Sequence, residues 1–176
     1  MQLSNIKIDG DFSEFKKVKK LYKEAFPRRE RMKFRVLQKS AVSPLVEWLA
    51  YYDGEELVGF TYLVSDGALA YLFYFAVCSS KRSLGYGGKI LSDLKARRNG
   101  ETLVLDIEAC REPAKNSEQR LRRRAFYMRN GFVPAGFEAT YRGVCYEAMK
   151  FGGECGKQRL MQLFKQYRRE VLGKNK

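Results

Sequence analysis

The stretch "CSSKRSLGYGGKIL", residues 78–91, sets three glycines and several basic residues between an apolar run and a sequence with helical spacing. The start of a helix presents N–H groups without partners and the positive end of a dipole, and glycine lets those groups approach a phosphate closely. The competing reading is a turn whose glycines only relieve backbone strain. Spacing excludes two phosphate loops. A Walker loop needs a glycine five residues before Gly88 and a Ser or Thr after Lys89, where the chain has Ser83 and Ile90. A dinucleotide fingerprint starting at Gly85 needs Gly or Ala at position 90, which is also Ile90. The pattern that does fit is Arg82-Ser83-Leu84-Gly85-Tyr86-Gly87, R-x-x-G-x-G.

Upstream, "VEWLAYYDGEELVGFTYLVSDGALAYLFYFAVCSS" is a series of apolar runs broken by Asp53-Gly54 and Asp66-Gly67. Asp-Gly between apolar runs is a strong hairpin signal, because both residues tolerate the positive φ of such turns. Three antiparallel strands are expected, the third from about Leu69 to Cys78, apolar on both faces and central in its sheet. Downstream, Ile90, Leu91 and Leu94 form a helical stripe that ends near Asn99-Gly100. "ETLVLDIEA" is then a buried strand, and the crossover through the helix makes it parallel to the strand before the glycines.

Further out, "CREPAKNS" reads as a loop, with Ser117 capping a helix whose Leu121, Ala125 and Met128 share a face. That helix ends at Asn130-Gly131, and "FVPAGFEATYRGVCYEAMKF" is a hairpin turning near Arg142-Gly143. At the other end, Phe15, Val18, Tyr22 and Ala25 predict an amphipathic helix stopped by Pro27. "RRERMKFRVLQKS" predicts a second short helix with Met32, Phe34 and Val36 as its contacts. Leu160, Leu163, Phe164, Tyr167 and Val171 predict a last helix, which could cover a sheet edge or mediate a homodimer. The expected architecture is α/β: a mixed, mostly antiparallel central sheet with one parallel strand pair, flanked by helices.

The bulk properties agree with one folded unit over residues 1–176, with 156–176 as a C-terminal helical extension. The chain has 176 residues, 45% of them hydrophobic and 31% charged, as expected of a packed domain. No apolar stretch approaches the roughly 20 residues that span a bilayer, and "MQLSNIKIDGDF" lacks a signal peptide's apolar segment, so no membrane partner and a cytoplasmic location are expected. Cys78, Cys110, Cys145 and Cys155 are widely separated and read as reduced thiols. There is no histidine, which excludes a histidine-dependent triad and a mixed zinc site; no metal is expected. Acid–base work then falls to Glu, Asp, Tyr, Cys, Lys or water. A formal charge of +14 attracts anionic partners without choosing among them.

The R-x-x-G-x-G sequence between strand and helix resembles the acetyl-CoA pyrophosphate loop of the GNAT family of N-acetyltransferases. "RRRAFYMRNGFVPAG" resembles that family's second signature, a helix ending in a tyrosine shortly before a Gly-Phe that opens the next strand. Tyr127, Gly131 and Phe132 hold those positions. The element order also matches, and the resemblance covers roughly residues 10 to 150. It implies an acyl-CoA N-acyltransferase-like fold in which the parallel pair splays apart. It further implies acetyl-CoA as donor substrate and direct attack by the amine of a small molecule or peptide in a ternary complex.

On that resemblance, donor contacts fall at Phe75, Val77, Cys78, Arg82, Ser83, Leu84, Gly85, Tyr86, Gly87 and Gly88, with the amides from about Leu84 to Gly88 on the diphosphate. Lys81, Arg82 and Lys89 are candidates for the phosphate charges. The oxyanion donor is expected near Val77 or Cys78, and Tyr127 resembles the tyrosine that protonates the leaving thiolate. Glu108 is the candidate base, directly or through water, and Cys78 reads as a core thiol. One departure is Arg120, where many members carry an asparagine that contacts the pantetheine arm; Asn116 is out of register for that contact. In the family the acceptor is set by segments here reading "AFPRRERMKF" and "ATYRGVCY", and the charge of the first would repel a polyamine and suit an anionic or neutral acceptor. The basic clusters read foremost as solvated helix faces. They leave open a second class of function, a non-catalytic module binding RNA or an acidic protein, although no RNP-like aromatic string is present.

Overall fold

The structure is a computed structural model that describes residues 3–111, 114–171 and 173. Glu112 and Pro113 of the expected "CREPAKNS" loop, and residues 172 and 174–176 of the tail, lie outside it.

One seven-stranded sheet organises the chain in the order β1-β2-β3-β4-β5-β7-β6. The Asp-Gly turns do what their chemistry predicts. Gly54 (φ 60°) and Gly67 (φ 89°) join β2 (Val46–Asp53), β3 (Glu56–Ser65) and β4 (Leu69–Val77) into an antiparallel meander. Arg142 (φ 49°) and Gly143 (φ 77°) close the second hairpin, β6 (Val133–Tyr141) with β7 (Val144–Phe151), through the two left-handed residues such a turn requires. β4 holds the central position, and helix α3 (Tyr86–Arg97) returns the chain to β5 (Thr102–Glu108), parallel to it.

The β4–β5 ladder is short. It registers Leu69 with Thr102, Ala70 with Leu103 and Tyr71 with Val104, and goes no further. β5 meanwhile stays paired with β7 as far as Glu108–Tyr146. The two central strands therefore diverge beyond Tyr71, leaving an opening between the end of β4 and the end of β5. A bulge in β4 lies at the divergence: Tyr62 opposes Tyr74 and Leu63 opposes Leu72, so Phe73 is the extra residue. Bulges bend a strand and re-aim the side chains that follow. Here Phe73 and Tyr74, consecutive in sequence, both pack on the same core.

That core lies between one face of the sheet and α1 (Phe15–Ala25), α2 (Phe34–Ser40) and α5 (Lys157–Glu170), which contribute Val18, Leu21, Tyr22, Leu37, Leu160, Leu163 and Tyr167. The opposite face is covered by α3 and α4 (Ser117–Arg129), with Leu91, Leu94 and Tyr127 on Leu103, Leu105 and Ile107. β5 thus sends alternate residues to the two layers, as the strand period requires. Among the described residues no helix is long and apolar enough to cross a membrane.

Five local expectations change. The strand β1 (Leu3–Lys7) pairs with β2 at the sheet edge, although "LSNIK" has too few apolar residues to announce it. α2 starts at Phe34 rather than near Arg28 and buries Leu37, not Val36, because residues 27–33 are held as a loop by tyrosine side chains. On α4, Leu121 and Met128 are exposed and Tyr127 is the buried residue, since the neighbouring rings Phe126 and Tyr127 offer more apolar area than the aliphatic stripe. Asn116 occupies the cap position of that helix, while the Ser117 hydroxyl bonds the Ala114 backbone. The last helix lies on the sheet face under β4 rather than along an edge, with Phe164 against Tyr71 and the Tyr167 hydroxyl on that of Tyr62.

Candidate active site

The opening between β4 and β5 is lined first by backbone. Cys78 donates its amide to the Val58 carbonyl at 2.9 Å, so that peptide faces β3. In an antiparallel ladder successive residues alternate sides, which turns the amides of Phe75 and Val77 the other way, toward the opening. The Val77 carbonyl agrees with that direction, because it accepts from Arg82 Nε at 3.3 Å across the end of the strand. Of the two expected amide donors, Val77 faces the gap and Cys78 is committed to β3. The Cys78 thiol bonds the Leu57 carbonyl, and burial pushes its pKa up, as expected of a packed thiol and not of a nucleophile.

The glycine stretch follows the end of β4. Ser83 (φ 63°) and Gly85 (φ 86°) turn the chain into α3, and the first helical bond runs from Lys89 N to Gly85 O. The amides of Tyr86, Gly87 and Gly88 thus precede the helical ladder, and no acidic side chain sits in the first turn to compete for them. Tyr86 anchors this start, with its ring among Leu49, Tyr51 and Val58 and its hydroxyl on Asp53. Leu84 is exposed. Gly87 has a packing role as well, since a Cβ there would come within 3.1 Å of the Phe126 ring. At Gly88 the same atom would meet Asn130 Oδ1 at 3.2 Å.

At the far side of the opening, Glu108 ends β5 nearly buried, 7% exposed, among cations. Oε2 accepts from Asn116 Nδ2 at 2.9 Å and Arg123 Nη1 at 3.4 Å. Oε1 faces Arg120 Nη2 at 3.3 Å and Arg29 Nη2 at 3.6 Å. Three hydrogen-bond donors and the Arg29 charge thus surround the carboxylate. Asp106, on the same strand face, is engaged by the Tyr71 hydroxyl at 2.9 Å, and burial raises its pKa.

Tyr127 lies in the α3–α4 layer between the rings of Phe126 and Phe132. Burial pushes its phenol up to about 12, against a smaller opposing pull from the Arg123 charge. The phenol therefore keeps its proton at neutral pH.

A third wall is the loop between α1 and α2. Tyr74 OH donates to the Glu30 carbonyl and accepts from the Met32 amide, both at 3.0 Å. Tyr22 OH donates to the Met32 carbonyl, and Tyr146 OH donates to Glu30 Oε1 at 3.1 Å. Arg142, from the β6–β7 turn, donates to the Arg29 carbonyl at 2.6 Å. The two segments expected to shape the acceptor site are thus in contact. Tyr74, Tyr146, Arg29 and Arg123 carry no motif; a tyrosine-rich strand and an arginine-rich loop are the only traces they leave in sequence.

The sequence profile of the acetyltransferase (GNAT) domain matches residues 45–134. No curated protein matches the chain. Among solved structures, one from Bacteroides thetaiotaomicron, titled as an acetyltransferase of the GNAT family, superposes with a TM-score of 0.78 at 21% identity, covering 98% of this chain and 99% of that one. An aminoglycoside 6'-N-acetyltransferase complexed with coenzyme A gives 0.61 at 19% identity, over 86% of this chain and 96% of the other. Arabidopsis thaliana Naa50 in complex with a bisubstrate analogue gives 0.60 at 16% identity, over 87% and 100%.

Proposed function

Because this chain belongs to the GNAT family of acetyltransferases, we propose that it transfers an acetyl group from acetyl-CoA to an amine by direct attack, with both substrates meeting in the β4–β5 opening. The observation that carries this reading is the early end of the parallel ladder at Tyr71–Val104, with the Phe75 and Val77 amides turned into the gap. The fit to the donor is chemical. Amides from Leu84 to Gly88, at the positive end of α3 and with no acid in the first turn, suit a diphosphate, and Arg82 stands beside them. The coenzyme A in the aminoglycoside acetyltransferase of the same fold supports that choice of donor.

The residues then divide the work. The Val77 N–H is the hydrogen-bond donor for the oxyanion that develops on the acetyl carbonyl. Tyr127, protonated at neutral pH, donates its proton to the departing thiolate. Glu108 takes the amine's proton through a water, because its own oxygens are already engaged by Asn116 and three arginines. On this assignment Glu108→Gln lowers kcat by about 10²-fold or more while acetyl-CoA binding is kept; an unchanged kcat would assign the base elsewhere.

The experiment for the reading as a whole is thermal unfolding with and without acetyl-CoA at tens of micromolar, followed by thiol release with an amine panel. A rise in Tm and amine-dependent release are expected. No shift, with steeply salt-dependent RNA binding in the same preparation, would replace the transferase with a basic binding module.

A further inference from the structure

We infer that the acceptor amine carries an anionic group, a carboxylate or a phosphate, held between Arg29 and Arg123; this rests on the transferase reading above. Around the end of β5 four guanidinium groups, those of Arg29, Arg120, Arg123 and Arg142, gather near two carboxylates, Glu30 and Glu108. Two positive charges are left over. Arg124 on α4 and Arg111 just past β5 are each balanced, by Glu147 and Glu138, and add nothing to that surplus.

The four arginines are not equivalent. Arg120 is spent: Nε bonds Asn116 Oδ1 at 2.9 Å, Nη1 bonds the Ala109 carbonyl at 3.0 Å, Nη2 reaches Glu108, and its side chain is only 15% exposed. Arg142 is directed at the Arg29 backbone. Arg123 touches Glu108 through one nitrogen at 3.4 Å and is 37% exposed. Arg29 stands 3.6 Å from Glu108 and 3.7 Å from Glu30 and is 53% exposed. A guanidinium has five N–H donors in a planar fork suited to two oxygens of one acid. Two such forks, underused and reachable, flank one carboxylate from opposite elements, the α1–α2 loop and α4. Arg123 stands one helical turn before Tyr127 on α4, which puts the anion's seat on the side of the expected proton donor. The donor's diphosphate is assigned to the start of α3, so it does not account for this charge.

The test follows thiol release with acceptors in matched pairs: β-alanine and aspartate against their carboxamides, phosphoethanolamine against ethanolamine, and putrescine as a cation. The acid of each pair is expected to exceed its neutral partner by about tenfold or more in kcat/KM, the equivalent of ~1.4 kcal/mol. The bias runs against intrinsic reactivity, because a nearby negative charge favours the protonated amine. The carboxylate and phosphate pairs show which acid is preferred. Arg29→Gln and Arg123→Gln each erase most of the preference through KM, while acetyl-CoA binding by calorimetry changes less than about twofold; Asn116 and Arg120 still hold Glu108 in both.

Neutral or cationic members used as well as the acids would overturn the inference alone, as would variants that weaken acetyl-CoA binding instead of acceptor use. If no member is acetylated, an arginine-dependent rise in Tm with the acids still supports it, and no rise overturns it. Failure to bind acetyl-CoA at all overturns the transferase reading, and this inference with it.

Discussion

At the residue scale, Tyr127 combines burial with a role that needs a retained proton. Tyr127→Phe keeps the ring in its place between Phe126 and Phe132 and removes only the hydroxyl. We expect kcat to fall by about 10²-fold or more, with unfolding free energy changed by less than ~1 kcal/mol. With the phenol pushed up to about 12, Tyr127 contributes no basic limb to the rate profile below pH 10. The linkage has a definite sign. A phenol whose folded value lies above its unfolded value, near 10, binds more protons in the native state between pH 10 and 12, so stability falls as pH rises through that window. Tyr127→Phe loses less stability than the native chain over the same interval. Equal losses would place the phenol outside the buried layer.

At the element scale, the two motif glycines separate by mechanism. Gly85 sits at φ 86° with open space where a Cβ would go, so Gly85→Ala meets backbone strain alone, ~1 kcal/mol or somewhat more. Gly87 has an ordinary φ, but a methyl added there would stand 3.1 Å from a Phe126 ring carbon. There the helix preference for alanine, ~1 kcal/mol, offsets a small shift of the ring. Calorimetric unfolding should show Gly85→Ala clearly destabilised and Gly87→Ala near neutral; the reverse order would mean that the turn into α3 is built differently. These elements are legible because their signals are local: Asp-Gly fixes each turn, and glycines between a strand and an apolar stripe fix the crossover. The aliphatic face of α4 misleads because that helix is placed by two adjacent aromatics, for which a period of 3.6 gives no signal. The bulge at Phe73 likewise puts Tyr74 on a face that simple alternation denies it, which hides the residue holding the Glu30–Met32 loop.

At the scale of the whole molecule, the site charge is one part of a larger imbalance. Glu108, Arg29, Arg120 and Tyr146 come from four separate elements, so their meeting is not readable before the topology is known. The charge imbalance, in contrast, is written in the composition. Between Glu14 and Lys39 lie eleven basic and three acidic residues, which account for +8 of the total +14. Burial does not neutralise them: the lysines of α1 project from a helix whose buried residues are Val18, Leu21 and Tyr22. Like charges confined to one folded surface repel, and the unfolded chain relieves that repulsion by expanding. Salt screens such interactions over about 10 Å at 0.1 M, and it screens attractive surface pairs too, but those are individually worth only ~0–1 kcal/mol. With so large an excess of one sign the repulsion dominates. Sodium chloride raised from about 10 to 150 mM should therefore increase Tm. The increase should shrink when acetyl-CoA, itself an anion, is bound, because part of the surplus is then already compensated. A Tm that falls with salt would show instead that the surface ion pairs outweigh the excess.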